Sequence, residues 1–277
     1  MISAGKKAAN EVEGCKMDIK ILDKKGNNLS FIISKTNAAF VNTLRRLIID
    51  EVPTMAMEDI EFRKNDSVLY DEMLAHRLGL IPLTTDLKGY NLPEKCTCKG
   101  EGCAKCQVEL SLKTKATGII EASKIKTKDP KIKPVYEEMP ITKLLNEQEL
   151  EFIAIARLGK GKEHAKWSPG LAFFKQTPIV QVKDPDKAVD AVKICPVDVF
   201  ELRKGKAAVN KDNELRCHHC MACVDACPGA VEVKGDNTSF VFTIESWGQL
   251  KPATIVDQAM VQFNEKLEEF KQLISQL

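Results

Sequence analysis

One short stretch carries four cysteines and a proline, Cys217-His-His-Cys220-Met-Ala-Cys223-Val-Asp-Ala-Cys227-Pro228, spaced C-x2-C-x2-C-x3-C-P. Two residues between successive thiolates let one tight loop wrap a metal centre and turn its backbone N–H groups toward the sulfurs. Such a site does not pre-exist in an unfolded chain, so whatever it binds contributes to folding. A second group, Cys96-Thr-Cys98-Lys-Gly-Glu-Gly-Cys103-Ala-Lys-Cys106, reads C-x-C-x4-C-x2-C. Two close pairs around a glycine-rich tip suit a tetrahedral four-sulfur site, with one Zn2+ held by Cys96, Cys98, Cys103 and Cys106 as the expectation. All four ligands would come from the protein, which leaves no open position and implies a structural role. The alternatives are four reduced thiols in a flexible loop, or a disulfide. Of the 10 cysteines, only Cys15 stands clear of these groups and of Cys195. A secreted disulfide scaffold would be short and would scatter its cysteines; clusters in a 277-residue chain read as metal ligands.

Composition narrows the remaining classes. Lys and Arg total 41 against 39 Asp and Glu, a net charge of +2, which argues against a whole-surface nucleic-acid binder. No apolar run approaches the roughly 18 residues of a membrane span. No apolar segment follows Lys6 and Lys7, so there is no secretory signal to read. The expectation is a soluble, cytoplasmic protein with no membrane partner.

Residues 1–15 read as a disordered tail. Alternation in Met17–Leu22 and Leu29–Ile33 around Gly26-Asn27 predicts a hairpin. Thr36 or Asn37 could cap a helix carrying Phe40, Val41, Leu44, Leu47 and Ile48 at helical spacing, closed by Pro53. Residues 53–172 read as strand-rich, with alternation in Ile60–Arg63, Val108–Leu112, Thr117–Ala122 and Phe152–Leu158. The lysine-rich stretch Lys113–Lys133 reads as a solvated face or mobile loop, or as a phosphate-contacting patch. From Thr177 the turn chemistry changes. Strands at Pro178–Lys183 and Ala230–Val233 flank a short helix at Pro185–Lys193, a hairpin at Phe200–Arg203 and Ala207–Asn210, and the cysteine run. A further strand over Ser239–Glu245 precedes a helix from Pro252. Its apolar positions Val256, Met260, Phe263, Leu267, Phe270, Ile274 and Leu277 step by four and three, a heptad seam that must pack on its own domain or on a partner chain.

Catalytic motifs are absent: no Gly-x-Ser-x-Gly, no P-loop and no His-Glu-x-x-His. Gly159-Lys-Gly161-Lys-Glu-His164 lacks the length and final Lys-Ser/Thr of a phosphate cradle, and His76 and His164 are isolated. No catalytic residue is assigned.

The Cys217–Pro228 run resembles that of bacterial-type ferredoxins. In the two-cluster members of that family the fourth cysteine of one run serves the other cluster. Cys195-Pro196 resembles the end of a first run whose other positions are now Pro185, Ala188 and Ala191. The resemblance therefore implies one [4Fe-4S] cluster on Cys195, Cys217, Cys220 and Cys223, with Cys227 left at a vacant site. The alternatives are zinc on the same thiols, or Cys227 as ligand in place of Cys195.

Three further stretches are Asn42-Thr-Leu-Arg-Arg-Leu-Ile-Ile-Asp-Glu-Val-Pro53, Asp71-Glu-Met-Leu-Ala-His-Arg-Leu-Gly-Leu-Ile-Pro-Leu83 and Gly161-Lys-Glu-His-Ala-Lys-Trp-Ser-Pro169. Together with the cysteine groups, they resemble the D subunit of archaeal DNA-directed RNA polymerase. That family is the counterpart of the third subunit of eukaryotic RNA polymerase II and of bacterial α. The resemblance implies an α+β chain of three parts. The first is a split dimerisation domain of antiparallel strands and two helices, 16–52 plus 237–277. The second is a strand-rich insert domain, 53–172, carrying the zinc-type loop 96–106. The third is a ferredoxin-like iron–sulfur domain, 173–236. It further implies a non-catalytic subunit of a nucleotidyltransferase complex. The L subunit would dock on Phe40, Val41, Leu44, Leu47, Val256, Met260, Phe263, Leu267, Phe270 and Ile274, and the two large subunits and the small N and P subunits would bind elsewhere. No sequence-specific DNA binding is implied. The competing readings are a ferredoxin-type electron carrier, a redox-responsive regulator of assembly, and a nucleic-acid module using Lys113–Lys133.

Overall fold

In a computed structural model, residues 17–276 are described; the 1–15 tail, Cys15 and Leu277 of the heptad seam lie outside them. The elements in chain order begin with β1 (Asp18–Lys25), β2 (Asn28–Ser34), α1 (Ala38–Asp50), β3 (Thr54–Asn65) and α2 (Asp71–Gly79). Next come β4 (Gln107–Thr114), β5 (Gly118–Glu121), β6 (Lys126–Thr127), β7 (Pro140–Leu144), β8 (Leu150–Gly159) and β9 (Gly170–Val182). Last are α3 (Val189–Ile194), β10 (Phe200–Arg203), β11 (Lys206–Val209), α4 (Ala222–Ala226), β12 (Val231–Ser246) and α5 (Pro252–Ser275). There are two four-stranded sheets, ordered β1-β2-β12-β9 and β3-β8-β4-β6, and two separate two-stranded pairs, β10-β11 and β5-β7.

The chain divides into two compact units. The first takes in the described residues through Lys20, Phe31–Ala38 and Lys175–Val241, and the second Ile21–Ser30, Ala39–Phe174 and residues 242–276. In the second unit, β8 alternates strictly: Leu150, Phe152, Ala154 and Ala156 are buried, and Glu151, Ile153 and Ile155 are partly exposed. Its antiparallel neighbours set Leu112 opposite Phe152, Leu110 opposite Ala154, and Met57 opposite Ala156. Phe62 meets Phe152 edge to face, centroids 6.0 Å apart. Helix α2 covers this sheet through Leu74 and Leu78. It lies in a region that the sequence reads as strands. Asp71 and Glu72 open it and His76 and Arg77 close it, charges that match the helix dipole at both ends.

Most lysines of the 113–133 stretch are tied down in pairs, although among the described residues Lys124 and Lys126 form none. Lys113 reaches Glu151 (2.6 Å), Lys115 Glu149 (3.4 Å), Lys128 Glu109 (2.8 Å) and Lys131 Asp86 (2.9 Å). These are surface ion pairs on ordered strands and turns, each worth about 0–1 kcal/mol. The stretch is an ordered, solvated face.

The hairpin of β1 and β2 turns at Gly26, whose φ of +53° is left-handed. The strands expected at Ala230–Val233 and Ser239–Glu245 are one strand, β12. The polar stretch between them stays extended because it packs against β9: Gln176 donates to Asn237 (2.7 Å), and a Cβ on Gly235 would run into the Gln176 side chain. Thr177 and Ser34 both contact the Ser239 hydroxyl, at 2.8 and 3.1 Å.

Candidate functional site

The loop 96–106 follows a 3-10 turn at Pro93–Lys95 and depends on Gly100 and Gly102, at φ +89° and +94°. Left-handed backbone at the tip folds the two cysteine pairs onto each other. The four sulfurs of Cys96, Cys98, Cys103 and Cys106 all lie within 4.8 Å of one another. Cys96 and Cys103 are 3.6 Å apart, Cys98 and Cys106 3.5 Å, and Cys103 and Cys106 3.8 Å. A tetrahedron with metal–sulfur distances of about 2.3 Å has edges of about 3.8 Å, so the group is preformed for a metal ion. The Cys103 amide donates to the Cys106 sulfur at 3.2 Å. Hydrogen bonds from the Cys96 thiol and the Gly100 amide lower the Cys98 pKa to about 6, whereas burial pushes Cys106 up to about 12. Lys95, just before the loop, pairs with Glu265 of α5 at 2.6 Å.

The second cysteine group lies in the first unit. Cys195 follows the last turn of α3, Cys217 follows a 3-10 turn at Glu214–Arg216, and Cys223 sits in α4. His219 and Met221 flank Cys220 with φ of +56° and +64°, the left-handed steps that let the loop curl. Cys195, Cys217, Cys220 and Cys223 line one small cavity, walled by Val197, Val199, Phe200 and Val233. Burial, reinforced by the charges of Cys217, Cys195 and Cys220, raises the Cys223 pKa to about 11. The Val199 amide donates to the Cys195 sulfur at 3.4 Å. Cys227 is buried at 4 % exposure but does not line the cavity. It belongs to the same buried cluster as Ala188, Ala191, Cys217 and Cys223. Four soft donors around an apolar-walled space suit a thiolate-bound metal cluster. His218 is at the rim of this cavity, and His219 does not line it.

Sequence reasoning missed Lys175. Its Nζ donates to the carbonyls of Leu215 and Cys217, both at 2.7 Å. Burial lowers its pKa and the Cys217 charge works against that. Its only sequence signal is a lysine closing the apolar run Leu171-Ala-Phe-Phe174.

The helices expected to meet a partner divide differently. Val41, Leu44 and Leu47 of α1 are 0, 5 and 8 % exposed. These three are buried within this chain, and of the α1 residues expected at the docking surface only Phe40 is partly exposed. Helix α5 buries Ile255, Ala259 and Gln262, one residue out of register with the heptad seam. Val256, Met260 and Phe263 are half-buried, while Leu267, Phe270 and Ile274 are 41, 60 and 53 % exposed. The end of α1 is anchored to α5 through Glu51, which pairs with Lys160 (3.1 Å) and Lys266 (2.9 Å). Gly161 lies so close to the Ile49 carbonyl that a Cβ there would collide with it.

The family model for the RNA polymerase Rpb3/RpoA insert domain matches residues 60–170. The DNA-directed RNA polymerase subunit Rpo3 of Methanosphaera stadtmanae is 36 % identical over 91 % of this chain and 96 % of its own. That of Methanosarcina mazei is 34 % identical over 94 % of this chain and 99 % of its own. The chain belongs to the Rpo3/Rpb3 family of RNA polymerase subunits. The eukaryotic branch is represented by the RNA polymerase II subunit rpb3 of Dictyostelium discoideum, 35 % identical over 92 % of this chain and 93 % of its own. Within this family frame, the second unit holds the matched insert segment together with α1 and α5. Among the described residues, no helix is long and apolar enough to cross a membrane.

Proposed function

We propose that this chain is a non-catalytic assembly platform of a cytoplasmic DNA-directed RNA polymerase. It heterodimerises with the small L subunit and nucleates addition of the two large subunits and the small N and P subunits. The dimerisation region would combine 16–52 with 237–277, the insert region would span 53–172, and the cluster-bearing region 173–236. The observation that carries the reading is the uncovered apolar stripe Leu267, Phe270 and Ile274 on α5, in a chain whose relatives are polymerase subunits. Contiguous exposed apolar surface of this kind marks a protein interface.

On this reading Cys195, Cys217, Cys220 and Cys223 hold one [4Fe-4S] cluster. Their shared cavity favours Cys195 over Cys227, and thiolate donors favour iron–sulfur chemistry. Cys96, Cys98, Cys103 and Cys106 hold one Zn2+, supported by sulfur spacings near those of a tetrahedral four-sulfur site. Both groups act as structural staples. Anaerobic purification of the tagged chain from its own cells, with partners identified and iron, sulfide and zinc counted, tests all of this together. Recovery in a large polymerase complex with about four irons and one zinc per chain is the expected result. Recovery as a lone monomer, or with a reductase, would overturn the platform reading in favour of an electron carrier.

A further inference from the structure

Strand β9 sends one charged side chain toward the cysteine loop. Lys175 is half-buried, and its Nζ donates to two loop carbonyls, those of Leu215 and Cys217, each at 2.7 Å. Among the described residues no carboxylate lies within ion-pair distance of it. A partly buried ammonium without a carboxylate is costly unless other groups compensate its charge. The two carbonyl dipoles do so in part. The remaining negative charge at hand is that of the cavity cysteines, beginning with Cys217, whose own carbonyl the lysine holds.

We propose that Lys175 is a positioning residue for the cluster, clamping the 215–217 segment and fixing a positive charge beside the first ligand. The inference rests on the cluster reading given above. Four thiolates already make the oxidised cluster an anion, and reduction adds one more negative charge. A fixed cation nearby stabilises the reduced form more than the oxidised one, so it raises the midpoint potential. By orienting Cys217 it also slows loss of the cluster, because groups that orient metal ligands typically contribute 10- to 100-fold to metal affinity.

The test compares the full-length wild-type chain with Lys175→Met, Lys175→Gln and Lys175→Arg, all purified anaerobically. Iron release to a chelator is timed by loss of cluster absorbance, and the midpoint potential is read by EPR-monitored titration. Lys175→Met should release iron about 10- to 100-fold faster than wild type and titrate at a lower potential. Lys175→Arg should restore both. Lys175→Gln keeps a donor without the charge, so it should slow release relative to Lys175→Met yet keep the lowered potential. If Lys175→Met is isolated without iron, the potential is read on Lys175→Gln. A Lys175→Gln potential equal to wild type, or a Lys175→Arg chain that behaves like Lys175→Met, would overturn the inference. A wild-type chain that carries zinc in place of iron would instead sink the cluster reading itself, and is seen before any variant is made.

Discussion

Truncating Phe270 and Ile274 to alanine together removes the outer end of the exposed α5 stripe. Full burial of a side chain of this size contributes about 1.5–3 kcal/mol. Phe270 is 60 % and Ile274 53 % exposed, so over half of that gain is still to be made against a partner. That is about 1–1.5 kcal/mol each, or about 2–3 kcal/mol together. At about 1.4 kcal/mol per decade, the Kd for the L subunit should rise by about 30- to 140-fold. The Tm of the free chain should hardly move, because neither side chain has much cover to lose. Titration calorimetry with the purified L subunit reads the first quantity, and a thermal melt the second. Leu44→Ala is the counterpart: Leu44 is 5 % exposed, and its loss should cost about 2–5 kcal/mol of folding stability. Unchanged L binding by the double variant would refute the reasoning. So would a stability loss as large as that of Leu44→Ala, since it would mean that the stripe belongs to the chain's own core.

Three further outcomes follow from the metal groups and the buried carboxylate. Cys195→Ser should lose the cluster on anaerobic purification while Cys227→Ser retains it; iron and sulfide counts that come out the other way round would reassign the fourth ligand. Cys103→Ser should abolish zinc binding and lower the Tm, and metal analysis showing full zinc occupancy in that variant would exclude the four-sulfur site. Burial alone pushes the Glu51 pKa up, but hydrogen bonds from Lys266 and Lys160 outweigh it and leave the pKa lowered. A depressed carboxylate contributes stability that is full above its unfolded pKa and is lost as pH falls through the folded value. Glu51→Gln should therefore cost about 1–3 kcal/mol at neutral pH, less than a fully buried pair because Lys266 is half-exposed. In urea melts that gap should shrink as the pH falls below 4.5, the ordinary carboxylate value; a gap that stays constant would contradict the assignment.

What could be read from residues alone were the elements with a clean period. Strand β2, α1, β4 and β8 show alternating or helical spacing that packing confirms, because one face of each is buried, whereas β1 alternates in sequence yet is exposed along its whole length. Helix α2 escaped because it is short and buries only Leu74, Leu78 and Gly79; its signal lay in the charges at its two ends. The continuity of β12 escaped because Lys234–Ser239 is polar, and nothing local reveals that β9 keeps it extended. On α5, periodicity identified an apolar seam but not which stripe the chain keeps for itself. Ala259 and the polar Gln262 carry little hydrophobic signal, yet they are the buried ones. The same limit applied to α1, where spacing marks Val41, Leu44 and Leu47 as apolar without saying what covers them. Cys195 is remote in sequence from Cys217, so only the offsets of the motif could single it out. Lys175 belongs to no motif, and its importance comes from two backbone carbonyls that no pattern of side chains encodes.

The cores of the two units bear on what the cluster is for. The second unit is filled by large side chains such as Phe152, Met55, Met57, Leu74, Leu83 and Leu110. The core around the cysteine cavity consists mainly of small residues: Ala188, Ala191, Ala207, Ala230 and several valines, with Phe200 the one large side chain among the buried set. Alanines bury little apolar area, and a small domain with such a core is marginal unless disulfides or a metal supplement it. On the proposed reading, a cluster bound by four thiolates that are scattered in the unfolded chain would supply that missing folding energy. Val233 lines the cavity and belongs to β12, and Lys175, which holds the cysteine loop, belongs to β9. These two strands are neighbours in the sheet that also contains β1 and β2. On the proposed reading, loss of iron therefore loosens a strand pair of the assembly platform and not merely a surface loop. An electron carrier requires only that its cluster exchange electrons; a platform requires that the cluster be present. A redox-inert metal that restored the fold would satisfy the second requirement and fail the first.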